Sequence, residues 1–79
     1  MAKKAYKLFF PQSLIKEPIM HTVVHDQDLV LNIRRAKITA DMGEAIIELE
    51  GDEENIENAV KLFQKKGVKI EPVEGDIIE

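Results

Sequence analysis

The chain contains no cysteine among its 79 residues, and that absence removes several classes of chemistry at once. A thiol nucleophile, a thiolate-held zinc and a cysteine-ligated iron–sulfur cluster all need the sulfur this chain lacks. No disulfide can support a small core either, and a domain this short buries only ~60% of the surface its unfolded chain exposes. The absence fits a reducing compartment, and a cytoplasmic location is the expectation. No apolar run approaches the ~20 residues needed to cross a bilayer, so no membrane insertion is expected. The short apolar stretch after Lys3-Lys4 breaks at Pro11 without a cleavage-like site, so no signal peptide is expected. Serine is nearly missing: Ser13, the one serine, lies in no Gly-x-Ser-x-Gly elbow, and a local turn or capping role is its default. There is no glycine-rich phosphate loop. Nor is there a basic excess. The net charge is −4, with acids and bases spread along the chain, which speaks against a surface that neutralises nucleic-acid phosphates.

What is present is a globular composition, 44% hydrophobic and 33% charged, in which periodicity marks the elements. Tyr6, Leu8 and Phe10 alternate with Lys7 and Phe9, predicting a strand over residues 5–10 that Pro11 ends. Residues 11–17 read as a loop. Pro18 suits the first position of a helix, where a missing N–H costs nothing, and Ile19, Met20, Val23 and Val24 fall on one side of it. A long strand follows at 29–40, with Leu29, Leu31 and Ile33 on one parity and Ala36, Ile38 and Ala40 on the other. That flip predicts a bulge near Arg34-Arg35. Asp41-Met42-Gly43 reads as a turn, with Gly43 free to take positive φ, and Ala45, Ile47 and Leu49 mark a strand over 44–50. A second helix over 53–66 carries Ile56, Ala59, Val60 and Phe63 at helical spacing. Its acids Asp52, Glu53 and Glu54 lie at the start and its lysines Lys61, Lys65 and Lys66 near the end, complementing the helix dipole. Gly67 is its expected left-handed stop, and Val68–Val73 form a last strand.

The order strand–helix–strand–strand–helix–strand predicts a single α+β domain with the ferredoxin-like, split βαβ arrangement: a four-stranded antiparallel sheet with two helices on one face. The predicted core face holds Tyr6, Leu8, Phe10, Leu29, Leu31, Ile33, Ala45, Ile47, Leu49, Val68 and Ile70. The other face is left without a cover of its own. Phe9, Val30 and Ile46 would form an apolar patch there if the strands align. Such a patch marks an association or ligand surface, although scattered apolar residues on a surface are ordinary. Asn32 stands out on the same face. It sits mid-strand, where asparagine is depleted, and its amide offers both donors and an acceptor.

Tests for catalytic and metal chemistry find little. His21 and His25 are four apart on the first helix, a spacing that can place two imidazoles on one metal, but they lie opposite the apolar stripe with no clear third ligand. The acids cluster at turns and helix ends, where solvation is the default. RNA-recognition domains share this strand order and stack bases on aromatics of the central strands. Here the third strand, Glu44-Ala45-Ile46-Ile47-Glu48-Leu49-Glu50, is acidic and has no aromatic residue. The reading is therefore non-enzymatic, with no cofactor, no metal and no nucleic-acid partner.

Asn32-Ile33-Arg34, on a strand preceded by a Pro18-led helix, resembles the Asn-Ile-Leu motif that gives the NIL domain its name. Tyr6-x-Leu8-x-Phe10, Ile33-x-x-Ala36-x-Ile38, Gly43, Ile47-x-Leu49-x-Gly51, Gly67-Val68-x-Ile70 and Val73 resemble further parts of that family, so the resemblance spans about residues 5–74. Arg34 departs from the motif's leucine. The resemblance implies a fold akin to amino-acid-sensing ACT domains, paired as a homodimer. It implies a regulatory role like that of the C-terminal part of methionine importer ATPase subunits, which bind methionine between paired domains. Asn32 is the counterpart of the motif asparagine. The expected function is sensing of methionine or a related sulfur compound, with Asn32 binding the ligand and Phe9, Val30 and Ile46 lining an apolar seat. The alternative is a protein-docking accessory domain of a ferredoxin-type, iron–sulfur protein in sulfur amino-acid metabolism that binds no small molecule. A ferredoxin or transporter ATPase module is the partner the resemblance implies. The tail Gly75-Asp76-Ile77-Ile78-Glu79 resembles the junction before a cysteine-rich ferredoxin module.

Overall fold

Alternation of side chains along residues 2–11 produces one long strand in the computed structural model, which describes residues 2–14 and 18–73. This strand, β1 (Ala2–Pro11), leads through a 3-10 turn at Gln12–Leu14 to helix α1 (Ile19–Asp26). Strand β2 (Val30–Ile38), strand β3 (Met42–Gly51), helix α2 (Glu53–Lys65) and strand β4 (Lys69–Pro72) follow. The strands form one antiparallel sheet in the order β2-β3-β1-β4. Strand β1 begins earlier than its alternation from Ala5 suggests because it pairs with β3 from Ala2↔Gly51 to Pro11↔Met42. The α+β, ferredoxin-like architecture is the one the element order predicts.

The core lies between one sheet face and the two helices. Leu8, Ala45, Ile47 and Leu49 point from the central strands toward Ile19 and Val23 of α1 and Ile56, Ala59 and Phe63 of α2. Leu29 and Val68 close its ends. Burial of a side chain such as Phe63, fully enclosed here, contributes on the order of 2–3 kcal/mol. Ile33 departs from expectation: it was predicted to face the core and is 54% exposed. It does share the helix-side face, since it pairs with Ile47. Strand β2 is at the sheet's edge, however, and an open groove separates it there from α1.

Local corrections follow from the same geometry. Pro18 is the residue just before α1, where its carbonyl accepts the Thr22 N–H at 3.0 Å. The β2–β3 turn falls earlier than predicted, at Ala40-Asp41, and Gly43 is a buried residue of β3 without positive φ. Thr39 holds the turn: its hydroxyl accepts from the Asp41 and Met42 amides, and its own amide donates to the Met42 carbonyl at 2.8 Å. Gly67 does end α2 in the left-handed region, at φ +98°. The predicted bulge is present, with the β2–β3 register shifting between Ile33 and Arg35. Ser13 is exposed in the 3-10 turn. The tail Glu74–Glu79 lies outside the described residues.

Candidate functional site

The uncovered sheet face is a grid whose register can be read strand by strand. Strand β3 presents Glu44, Ile46, Glu48 and Glu50, flanked by Lys3, Ala5, Lys7 and Phe9 of β1 and by Val30, Asn32, Arg35 and Lys37 of β2. A negative strand between two positive ones is paired internally: Lys7 to Glu44 at 3.0 Å, Lys3 to Glu50 at 3.7 Å and Arg34 to Glu48 at 2.6 Å.

The structure disperses the three apolar residues expected to share a seat on this face. Phe9 lies opposite Glu44 and Val30 opposite Glu50, six positions apart on β3, which is about 20 Å at ~3.3 Å per residue. Ile46 sits between them, opposite Lys7 on one side and Arg35 on the other. Phe9 is flanked by cations, with Lys7 Nζ 5.2 Å and Lys69 Nζ 5.8 Å from its ring centre. Salt-bridged charges therefore separate Phe9, Val30 and Ile46. Asn32 is exposed and pairs with Glu48 across β3. Glu48 is the carboxylate that Arg34 binds, so Asn32 stands within a polar cluster and not beside an apolar wall.

The apolar concavity is on the helix side of the sheet. A groove of about 370 Å³ runs between α1 and the far part of the β2–β3 hairpin. One wall is Leu14, Met20 and Val24, and the other is Leu31, Ile33 and Ile38, with Phe10 and Ala45 among the residues that close it. It forms because the bulge at Arg34 returns Ala36 and Ile38 to the helix-side face, opposite Ala45 and Gly43. Strand β2 then runs on past the end of α1. The groove opens toward the β2 edge, where Ile33 is 54% and Ile38 68% exposed. Its volume and lining fall within the range of small-molecule sites. Two signals in the sequence pointed to it without revealing it: the parity flip in β2, and the second apolar stripe of α1, Met20 and Val24. Their meeting depends on which strand lies at the edge.

Elsewhere, charge chemistry is peripheral. Lys4 donates to Glu53 at 3.2 Å, and this hydrogen bond and charge hold its ammonium above the ordinary lysine value. Burial pushes the Tyr6 phenol above the ordinary tyrosine value. His21 and His25 lie side by side on α1, ring centres 6.0 Å apart. Among the described residues no group of three or more histidines and acids converges as a metal site. No described helix is long and apolar enough to cross a membrane.

Comparison with known proteins adds two findings. The family model of the NIL domain matches residues 4–72. The crystal structure of the C-terminal domain of an ABC transporter ATP-binding protein from Enterococcus faecalis superposes with a TM-score of 0.81. It is 26% identical, and the match covers 92% of this chain and 86% of that one. No curated protein matches the sequence.

Proposed function

The chain belongs to the NIL domain family, and we propose that it is a non-catalytic regulatory domain that senses a small apolar amino acid, methionine or a related sulfur compound, where two copies meet along the β2 edge. The observation that carries this reading is the apolar groove that opens on an unpaired edge strand. An open strand edge offers N–H and C=O groups to a second chain, and a second copy would cover Ile33 and Ile38. The ligand's side chain fits the groove better than the charged open face. Asn32 is the proposed polar contact. It lies on the same edge strand as the groove wall but faces the other way, so the junction of two copies is where one ligand can reach both. Regulation of an attached or partner ATPase module is supported by the similarity to a transporter ATPase's C-terminal domain, and a cytoplasmic setting accords with it.

The test is a thermal melt with and without millimolar L-methionine, alongside Asn32→Ala and Ile38→Lys. Ligand at ~100 times its dissociation constant adds ~2.7 kcal/mol, several degrees in a domain this small. The reading expects that rise in the native chain, its loss in Asn32→Ala, and conversion of dimer to monomer by Ile38→Lys in light scattering. A second reading, a docking domain for a transporter ATPase or ferredoxin-type module, is favoured by the same neighbour. A native chain that dimerises through β2 but melts unchanged with methionine would select it.

A further inference from the structure

We propose that His21 and His25 form a two-imidazole binding site for a borderline divalent transition metal, of the Zn²⁺, Ni²⁺ and Cu²⁺ class, on the exposed side of α1. This does not rest on the ligand reading above. Residues four apart on a helix face the same way, and here the two rings lie 6.0 Å apart between centres, tilted by 34°. An imidazole nitrogen sits about 2.0–2.1 Å from its metal, which sets two rings sharing one tetrahedral ion roughly 5 Å apart between centres. The two exposed rings need to close by only about 1 Å, within the reach of side-chain rotation.

A second observation bears on the nitrogens. Asp26 Oδ1 lies 3.8 Å from His25 Nδ1. That separation is too long for a hydrogen bond, but it places a negative charge beside the ring, which favours a cation bound there. The His25 side chain is 79% exposed, so water can fill the remaining coordination positions without a desolvation cost. That completion is required, because among the described residues no third histidine or acid joins the pair. An all-imidazole donor set with no thiolate selects this metal class over Mg²⁺ and Ca²⁺, which prefer oxygen ligands. The net charge of −4 favours cation approach. His21 also lines the mouth of the groove, so an ion held there stands beside it.

The experiment is titration of the chain, free of any histidine tag, with ZnCl₂, NiCl₂ and MgCl₂, followed by calorimetry and by amide NMR. The expected result is one Zn²⁺ or Ni²⁺ per chain with half-saturation between about 1 μM and 1 mM, no response to Mg²⁺, and Ni²⁺ broadening centred on residues 19–27. His21→Gln and His25→Gln each weaken binding at least tenfold, and both residues are exposed, so the variants keep the fold. Unchanged affinity in either variant, no saturation by about 1 mM, or broadening centred on the acidic start of α2 would overturn the proposal.

Discussion

Arg34 reaches from the bulge in β2 to Glu48 of β3, a guanidinium nitrogen 2.6 Å from a carboxylate oxygen. The Arg34 side chain is 44% exposed, but that of Glu48 only 14%, which makes the two partners unequal. A mostly covered carboxylate that loses its partner is costly, whereas a half-exposed guanidinium is screened by solvent. The pair ties the irregular part of the edge strand to its neighbour, beside Asn32.

Replacing Arg34 by leucine, the residue of the family motif, should therefore destabilise the domain by about 1 kcal/mol. Adding Glu48→Gln to that variant should recover most of the loss, because the stranded charge is removed. Urea unfolding of the native chain, Arg34→Leu and the double variant measures this directly. An Arg34→Leu chain as stable as the native one would mean that the pair only decorates the surface.

Ile33 and Ile47 face each other across the β2–β3 ladder on the same side of the sheet, yet Ile47 is fully enclosed and Ile33 is mostly exposed. Ile47→Ala should cost about 2–5 kcal/mol, the transfer term plus the cavity it leaves. Ile33→Ala should stay within roughly 0.5 kcal/mol, as for a surface site. Equal losses on thermal or urea unfolding would place the edge of the core further out along β2 than the structure does. In a dimer covering β2, Ile33→Ala should instead become costlier as protein concentration rises.

Gly51, the last residue of β3, has φ +157°, and a Cβ there would lie 2.5 Å from the Leu29 side chain. Leu29 is itself a core residue and has little room to give. Gly51→Ala should cost about 1–3 kcal/mol through overpacking, and trimming Leu29 to alanine in the same chain should relieve part of the clash. Unfolding curves that show simple additivity of the two changes would refute this coupling.

Lys4 and Tyr6 set the expected alkaline behaviour. Glu53 raises the Lys4 value above 10.5, and burial raises that of Tyr6 above 10.0. In both cases the folded state holds the proton more tightly than the unfolded one. Their contribution is therefore complete below the ordinary values and declines as pH rises through the raised ones. The melting temperature should fall above about pH 10. Tyr6→Phe should make the fall shallower. A native profile as shallow as that of Tyr6→Phe would remove Tyr6 from the account.

The sequence by itself determined what depends on near neighbours. Period-two alternation in β1 and β3, the Ile56–Ala59–Phe63 stripe of α2, the Gly67 stop and the parity flip at Arg34 are all local, and each set its element within a few residues. The order of those elements then left few topologies, which is why the ferredoxin-like arrangement was legible. The exposure of Ile33, the separation of Phe9 from Val30 and the groove between Met20 and Ile38 were not legible. Parity says which face a side chain takes, but not what covers that face or which residue stands opposite. Those outcomes depend on strand order, which puts β2 at the edge, on register, which sets Lys7 and Arg35 on either side of Ile46, and on how far a short helix reaches. They are long-range properties of the assembled sheet. For that reason the pattern indicates apolar residues on the open face, while the helix-side groove is visible only in the assembled fold.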